Sequence, residues 1–245
     1  MRLFMKITLS ALLLFFLLPP SAFPQQTLVL NTANAPPNAT DNFTGIGDRV
    51  LTEAFTRLDM HLKIVRLPSE RALLNANDGI DDGNFARVAG LSKMYPNLIQ
   101  VPESITTFEF VAITKKTDFI PQGWDSLKPY NVSIITGWKI LEKNITTSKS
   151  LTKVRNRHIL FTLLKEDKTD IIVYDRKQGM VMIKEFNLQD EVQILKPAFA
   201  VKAMYPYLHK RHRDLVPRLA KILRDIKTDG SFEKIVNEVL APYIK

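Results

Sequence analysis

A short run of β-branched residues that ends in a carboxylate constrains the fold of this chain more than any other feature. Residues 171–173 are Ile, Ile and Val, an acidic turn at Asp170 precedes them, and Asp175 follows at the far end. Such a run is typical of a strand buried on both faces, as the strands of parallel sheets are. Because open parallel sheets bind ligands beyond the carboxyl ends of their strands, Asp175 is a candidate ligand contact. Its alternative role is to cap the helix predicted to follow it.

A charge of opposite sign occupies a comparable position upstream. A turn rich in Gly and Asp at residues 77–84 leads into a very short apolar stretch that ends at Arg87. Opposite charges on two lobes would suit a zwitterionic ligand. The alternative for Arg87 is a structural ion pair with one of three carboxylates: Asp81, Asp82 or Glu103.

The order of the predicted elements indicates an α/β fold with two lobes. We predict strands at 27–31, 61–66, 98–101, 108–114, 131–135, 170–175 and 192–195. We predict helices at 46–58, from 68 onward, and at 138–143, 154–164, 178–186, 213–227 and 232–240, with the closing helical region approached through residues 207–212. In the first helix, apolar residues recur at helical spacing: Val50, Leu51, Ala54, Phe55 and Leu58.

The N-terminus has the three regions of a secretory signal peptide. Arg2 and Lys6 precede an apolar run at 7–18, and Pro-Pro-Ser-Ala follows at 19–22. We therefore predict a signal peptide at residues 1–23; the alternative is an uncleaved membrane anchor, although a span takes about 20 apolar residues. The chain has no Cys, so it has neither a disulfide nor a cysteine-linked lipid anchor. Export without disulfides indicates a bacterial periplasm.

The charge and the motifs exclude several classes of function. The chain has 34 Lys and Arg against 25 Asp and Glu, a net charge of +9; without Arg2 and Lys6 the balance is 32 against 25, or +7. This bias suits an acidic ligand, but the basic residues are not interleaved with stacking aromatics, so we expect no nucleic acid. His209 and His212 lack further ligands nearby, and no nucleophile elbow or phosphate-binding loop occurs. We expect no metal, no cofactor and no catalysis.

Four segments together resemble a known family: residues 45–55, 71–87, 170–175 and 207–235. In their order and spacing they are similar to family 3 of the bacterial extracellular solute-binding proteins, the amino-acid-type periplasmic substrate-binding proteins of ABC transporters. The resemblance covers essentially the whole chain after the predicted signal peptide. It implies a type II periplasmic binding protein fold, with two α/β lobes joined by two crossover strands near residues 112–116 and 196–203. Lobe 1 would comprise residues 24–113 and 203–245, and lobe 2 residues 114–202.

The resemblance also implies a ligand site. Arg87 would hold a ligand carboxylate and Asp175 a ligand ammonium. Thr136, Gly137 and Trp138 lie where the family has a small-residue turn at a helix start, which favours an anion. Trp138 either stacks on the ligand or caps the lobe.

Three further residues complete the candidate set. Asn84 comes from the stretch before Arg87. Phe43, or else Phe85, stands in for the aromatic residue that the family carries after its first loop. Glu103 lies in a loop between two lobe 1 strands and is either a cleft residue or a surface carboxylate. The segment before Arg87 is shorter than in amino-acid binders and lacks their Thr, which leaves an α-amino-acid ligand open.

These observations predict a periplasmic solute-binding protein. It would be a monomer that closes around a small polar solute, amino-acid-like and bearing a carboxylate, and delivers this solute to an ABC-type permease. The alternative is a ligand-sensing or interaction subunit on the same fold that regulates a membrane receptor. An enzyme such as a dehydratase or cell-wall lyase would need an acid–base pair in the cleft, for which Glu103 is the single obvious candidate.

Overall fold

The computed structural model describes residues 26–243. The signal peptide predicted at residues 1–23 lies outside the described residues. The strands are β1 (Thr27–Thr32), β2 (His61–Arg66), β3 (Gly83–Arg87), β4 (Leu98–Gln100), β5 (Thr106–Thr114), β6 (Asn131–Ile135), β7 (Ser150–Val154), β8 (Ile171–Asp175), β9 (Gln193–Ile194) and β10 (Ala200–His209). The α-helices are α1 (Ile46–Arg57), α2 (Ser69–Asn77), α3 (Lys139–Asn144), α4 (Arg157–Lys165), α5 (Arg176–Glu185), α6 (Leu215–Thr228) and α7 (Ser231–Leu240). None of these helices is long and apolar enough to cross a membrane.

The first lobe is built on β1. Strands β2 and β3 lie parallel to β1, one on each side, and β10 runs antiparallel to β3 and to β4. Helix α1 packs on this sheet through an apolar face whose buried residues include Val50, Leu51, Ala54 and Phe55. The helical spacing read from the sequence is thus confirmed.

The C-terminal helices close the same lobe. Helices α6 and α7 both contact α1. Leu219, Leu223 and Ile226 of α6 are buried in the hydrophobic core that also contains Phe55 of α1. The first lobe is therefore assembled from both ends of the described chain.

The second lobe is built on β6. Strands β7 and β8 lie parallel to β6 on its two sides, and α4 and α5 pack against this part of the sheet. Leu160, Phe161 and Leu164 of α4 are buried in one core with Ile172 and Tyr174 of β8. As the β-branched run indicates, β8 is buried at every position.

Two long strands, β5 and β10, join the lobes. They pair antiparallel with each other from Thr106–Met204 to Phe110–Ala200. Beyond this region β5 pairs with β8, whereas β10 changes partner between Met204 and Tyr205 and continues against β3. The result is one curled mixed sheet of order β2-β1-β3-β10-β5-β8-β6-β7, with β4 and β9 at its sides.

Two element predictions were wrong. Residue 154 ends the strand β7 instead of starting a helix, because β7 is a largely exposed edge strand without a continuous apolar run. Residues 207–209, where the resemblance implies the start of the closing helical region, continue β10 instead. Pro206 suggests a strand end, but it lies at the irregular register between Tyr205 and Tyr207, the kind of position where a strand tolerates proline.

The packing of α6 on α1 gives a direct test of the first lobe. Leu223 is 1% exposed, so Leu223→Ala should lower the free energy of unfolding by about 2–5 kcal/mol, measured by urea denaturation. Leu74→Ala is the matched control, since Leu74 is on a helix but 47% exposed, and we expect a change within about 0.5 kcal/mol. Equal losses in the two variants would contradict the packing of α6 in this core.

Candidate functional site

The carboxyl ends of parallel strands from both lobes meet in one cleft. One cavity is lined by Thr32, the last residue of β1, by Ala33, which follows it, and by Ile135 at the end of β6. Arg87 at the end of β3 and Gly137 after β6 line a neighbouring cavity, which also includes Ala33. Ligands of open α/β sheets bind at this edge. The cleft between the lobes is therefore the candidate site.

Residues of the second lobe contact helix α2 of the first lobe across the cleft. Lys139 Nζ donates a hydrogen bond of 2.6 Å to Glu70 Oε2 of α2. Burial lowers the pKa of Lys139, but its bonds to Glu70 and Glu142 outweigh this effect and raise the pKa above its ordinary value. Gly137 packs on the first turn of α2, where an added Cβ would lie 2.6 Å from Glu70 N. Its φ of 84° also favours glycine.

Arg87 is held rigidly at the wall of the cleft. Its Nη1 donates to Ser69 Oγ at 2.6 Å, its Nη2 donates to the Ser69 carbonyl at 3.0 Å, and its Nε donates to Asn84 Oδ1. Asn84 donates in turn to Asn31. Asn84 therefore positions the arginine, and burial lowers the pKa of Arg87 to about 10.

Arg87 has no ion-pair partner among the residues that the structure describes. The three carboxylates considered from the sequence have other partners. Asp81 accepts from Asn31, Asp82 pairs with Arg211 and His212, and Glu103 pairs with Lys227. A guanidinium that is buried without a counter-ion is costly, so this one is poised to accept an anion.

The cavity beside Arg87 is small and mostly apolar. Its free volume is about 40 Å³, which holds a few water molecules. Trp138 stacks on Tyr174 with ring centroids 4.9 Å apart, and it also contacts Phe108 and Phe110, each at 5.9 Å. In this closed arrangement the cavity admits one functional group of a solute rather than a whole solute.

A larger cavity of about 460 Å³ adjoins it. Three arginines line this cavity, which we call the arginine pocket: Arg66, Arg155 and Arg157. The other lining residues are neutral: Thr32, Ala33, Leu67, Pro68, Ser69, Ile135, Asn156 and Tyr174. Burial raises the pKa of Tyr174, whose hydroxyl bonds to Gln178 Oε1 at 3.1 Å. The pocket is thus strongly positive.

Asp175 caps α5. Its Oδ2 accepts from the N–H of Gln178 at 3.2 Å, and its Oδ1 accepts from the N–H of Glu109 at 3.1 Å. The side chain is 1% exposed and lines neither cavity described above. Of the two roles left open by the sequence, the helix cap is the one that the geometry displays, whereas contact with a ligand ammonium stays a prediction.

The other candidates fall into two groups. Gly137 and Trp138 line the cavity of Arg87, and Thr136 precedes them, with its N–H donated to the Val154 carbonyl at 2.8 Å. Phe43 and Glu103 do not line either cavity. Phe43 is 48% exposed in a groove beside α1 and α7, Phe85 is buried in the core, and Glu103 is tied to Lys227 of α6.

The sequence reading missed the arginine pocket. Arg66 ends β2, so the criterion applied to Arg87, a charge at the carboxyl end of a strand, would have found it. Arg155 and Arg157 follow β7, and they were overlooked because that strand was not recognised. Within residues 26–243 there is no group of three or more His, Cys, Asp or Glu side chains that could hold a metal ion.

Comparisons with known proteins define the class of fold. No protein-family model matches the chain. An uncharacterised protein from Shewanella oneidensis is 24% identical over 202 residues, which span 79% of this chain and 75% of that protein. Among solved structures, a mutant of ArgBP from T. maritima matches with a TM-score of 0.74 and 17% identity, covering 88% of this chain and 95% of that one.

Two further solved structures have the same fold as this chain. A substrate-binding protein of an ABC uptake transporter from Streptococcus pneumoniae, with bound histidine, has a TM-score of 0.73 at 15% identity and covers 88% and 92% of the two chains. The GluR0 ligand-binding core from Nostoc punctiforme, in complex with L-glutamate, has a TM-score of 0.71 at 15% identity and covers 86% and 98%. The fold is that of the type II periplasmic binding proteins, which confirms the fold class predicted from the sequence.

The contact of Gly137 with α2 predicts a defect in closure. Gly137→Ala should lower the free energy of unfolding by about 1–2 kcal/mol through backbone strain and should also separate the lobes, raising the radius of gyration in X-ray scattering. Gly123→Ala is the control, because Gly123 has a φ of 109° but no atom within 4 Å of an added Cβ. An unchanged radius in the Gly137 variant would show that this contact does not hold the lobes closed.

The buried cap at Asp175 predicts a pH dependence of stability. Burial raises the pKa of Asp175 to about 6 from an ordinary value of 3.8. Between these values the folded state keeps a proton that the unfolded state has released, so this group makes the free energy of unfolding fall as the pH rises through that window. Asp175→Asn should lack this fall in urea titrations from pH 4 to pH 7. If the free energy of unfolding varied with pH in the same way in both proteins, the raised pKa of Asp175 would be contradicted.

Proposed function

We propose that this protein is a periplasmic binding protein of the amino-acid type, which closes its two lobes around a small carboxylate-bearing solute and delivers it to a membrane permease. It works by stoichiometric binding without turnover, as a monomer, after export through the N-terminal segment at residues 1–23. The solute is an amino acid or a related organic acid. The observation that carries the proposal is the buried guanidinium of Arg87 at the wall of the cleft, which has no ion-pair partner in the described part of the chain.

The buried charge of Arg87 favours an anionic ligand. Three of the five N–H donors of Arg87 are used by Ser69 and Asn84, so its fork is fixed and its remaining donors are free for a ligand. A carboxylate there would form charge-assisted hydrogen bonds in a site of low polarity and supply the missing counter-charge. Closure of the lobes would strengthen these bonds by excluding water.

The neighbours in fold support a small-molecule ligand. The Streptococcus pneumoniae substrate-binding protein holds bound histidine, and the GluR0 ligand-binding core is in complex with L-glutamate. Both carboxylate oxygens of Asp175 accept hydrogen bonds from backbone N–H groups. The acid group of the solute is therefore better supported than an ammonium group.

A sensing role on the same fold is the second candidate. The match to the GluR0 ligand-binding core supports it, because closure of the same two lobes around a ligand can be read by a membrane partner other than a permease. Both roles need the same cleft and the same Arg87. A membrane complex isolated with the protein would distinguish them by the identity of the partner.

Substitution of Arg87 tests the proposal. In a thermal-shift screen against amino acids, small organic acids and polyamines, a solute at a hundred times its Kd should stabilise the protein by about 2.7 kcal/mol. Arg87→Gln should melt cooperatively but lose this stabilisation, and Arg87→Lys should lose most of it because lysine lacks the planar fork.

The control is Arg218→Gln, which removes an exposed charge from α6 and should respond like the unmodified protein. Two results would refute the proposal. One is equal stabilisation of the Arg87→Gln variant and the unmodified protein by an organic acid. The other is a panel in which polyamines alone stabilise the protein.

A further inference from the structure

The arginine pocket draws positive charge from both lobes. Arg66 comes from the first lobe, at the end of β2, whereas Arg155 and Arg157 come from the second, between β7 and the first turn of α4. No Asp or Glu is among the residues that line the pocket. Like charges from opposite sides of a cleft oppose its closure unless an anion lies between them.

Two of these guanidinium groups carry buried donors without partners. Arg66 Nη1 and Arg157 Nε are shielded from solvent, and neither finds a hydrogen-bond acceptor within residues 26–243. The rest of Arg66 is engaged, since its Nη2 donates to the Asn34 carbonyl at 2.5 Å and its Nε lies 3.3 Å from Asp41 Oδ1. Buried donors are rarely left unsatisfied in proteins, so the guanidinium groups of Arg66 and Arg157 remain under-compensated beside the pocket that they line.

The charges of the pocket are only weakly compensated by the protein. Asp41 is the one carboxylate paired with Arg66 in the part of the chain that the structure describes, and its side chain is 89% exposed. Burial lowers the pKa of Arg66; Asp41 and the buried carboxyl of Asp48 act to raise it, while the nearby charge of Arg157 acts to lower it. For Arg155 and Arg157 the described residues supply no ion pair at all.

The backbone adds to this potential. The first turns of α2 and α4 both contribute lining residues, namely Pro68 and Ser69 from one and Asn156 and Arg157 from the other. The N-terminal end of a helix carries a partial positive charge and free N–H groups, which favour an anion. Helix α2 has no side-chain cap, so its first N–H groups are not satisfied by its own N-cap residue.

We propose that the arginine pocket binds a second acid group of the solute, so that the ligand is a small molecule with two or more oxyanion groups. The inference rests on the proposed function, because Arg87 takes the first carboxylate. The two cavities are contiguous: Ala33 lines both, and Asn34, whose carbonyl binds Arg66, lines the cavity of Arg87. The volume of about 460 Å³ lies in the range of small-molecule sites.

The shared chemistry of the ligand is a cluster of negatively charged oxygens, either carboxylate or phosphate. Arginine recognises both through the same paired donors. A monocarboxylate would satisfy Arg87 and leave the arginine pocket uncompensated, so it would close the lobes less well. Selectivity for multiply charged anions therefore follows from repulsion within the pocket as well as from attraction to the ligand.

Calorimetric titration of the protein with citrate, succinate, acetate, L-glutamate and inorganic phosphate tests this inference. We expect citrate or succinate to bind at least about tenfold more tightly than acetate, and Arg157→Gln and Arg66→Gln each to weaken that binding about tenfold or more while leaving acetate unchanged. If phosphate and not the carboxylates shows this pattern, the second acid group is a phosphate. Arg218→Gln is the matched control and should match the unmodified protein.

The melting temperature without ligand separates a binding role from a structural one. Arg157→Gln should melt no lower than the unmodified protein, because the substitution relieves repulsion with Arg66; a lower melting temperature with unchanged anion affinity would assign Arg157 to the fold and overturn the inference. The inference would also be overturned if the Arg157 variant bound citrate and succinate as tightly as the unmodified protein does. Loss of all binding in Arg87→Gln, with binding retained in Arg157→Gln, rejects the arginine pocket but keeps the proposed function. A protein that none of these anions binds rejects both.

Discussion

The antiparallel pairing of β5 with β10 is the constraint on which the rest of the structure depends. Each of these strands runs from the sheet of one lobe into the sheet of the other. Their register from Thr106–Met204 to Phe110–Ala200 sets the position of one lobe relative to the other. Because the parallel strands of both lobes point their carboxyl ends at the space between them, this pairing brings together side chains that are far apart in sequence. The cleft is therefore a product of topology before it is a product of particular residues.

The cleft brings together positive charges that the described residues neutralise only in part. Arg87 is buried and has no ion-pair partner within residues 26–243, and Arg66 and Arg157 line the adjoining pocket. The Lys139–Glu70 bond shows that the closed lobes can satisfy a charge across the interface, so the unsatisfied arginines are a local feature rather than a general failure of pairing. An anion bound between the lobes would turn this repulsion into a closing force, which couples recognition to closure.

The fold could be predicted largely from the sequence, and the site only in part. The buried run at β8, the helical spacing of α1 and the charge at the end of β3 follow from local chemistry, and all three lie where the pattern indicates. The exposed edge strand β7 has no continuous apolar run, so the sequence did not predict it, and Arg155 and Arg157 after its end were not recognised as site residues. Asp175 shows another limit, since a carboxylate at a strand end is also a good helix cap and only the geometry reveals its hydrogen bonds.

A crystal structure of the protein grown with citrate would test the central claim most directly, because it locates the anion without relying on a substitution. We expect one citrate between the lobes, with carboxylate oxygens within about 3 Å of guanidinium nitrogens of Arg66 and Arg157 and another carboxylate at Arg87. Citrate bound only on the outer surface, for example at the basic run of residues 209–213, with water alone between the arginines, would contradict it.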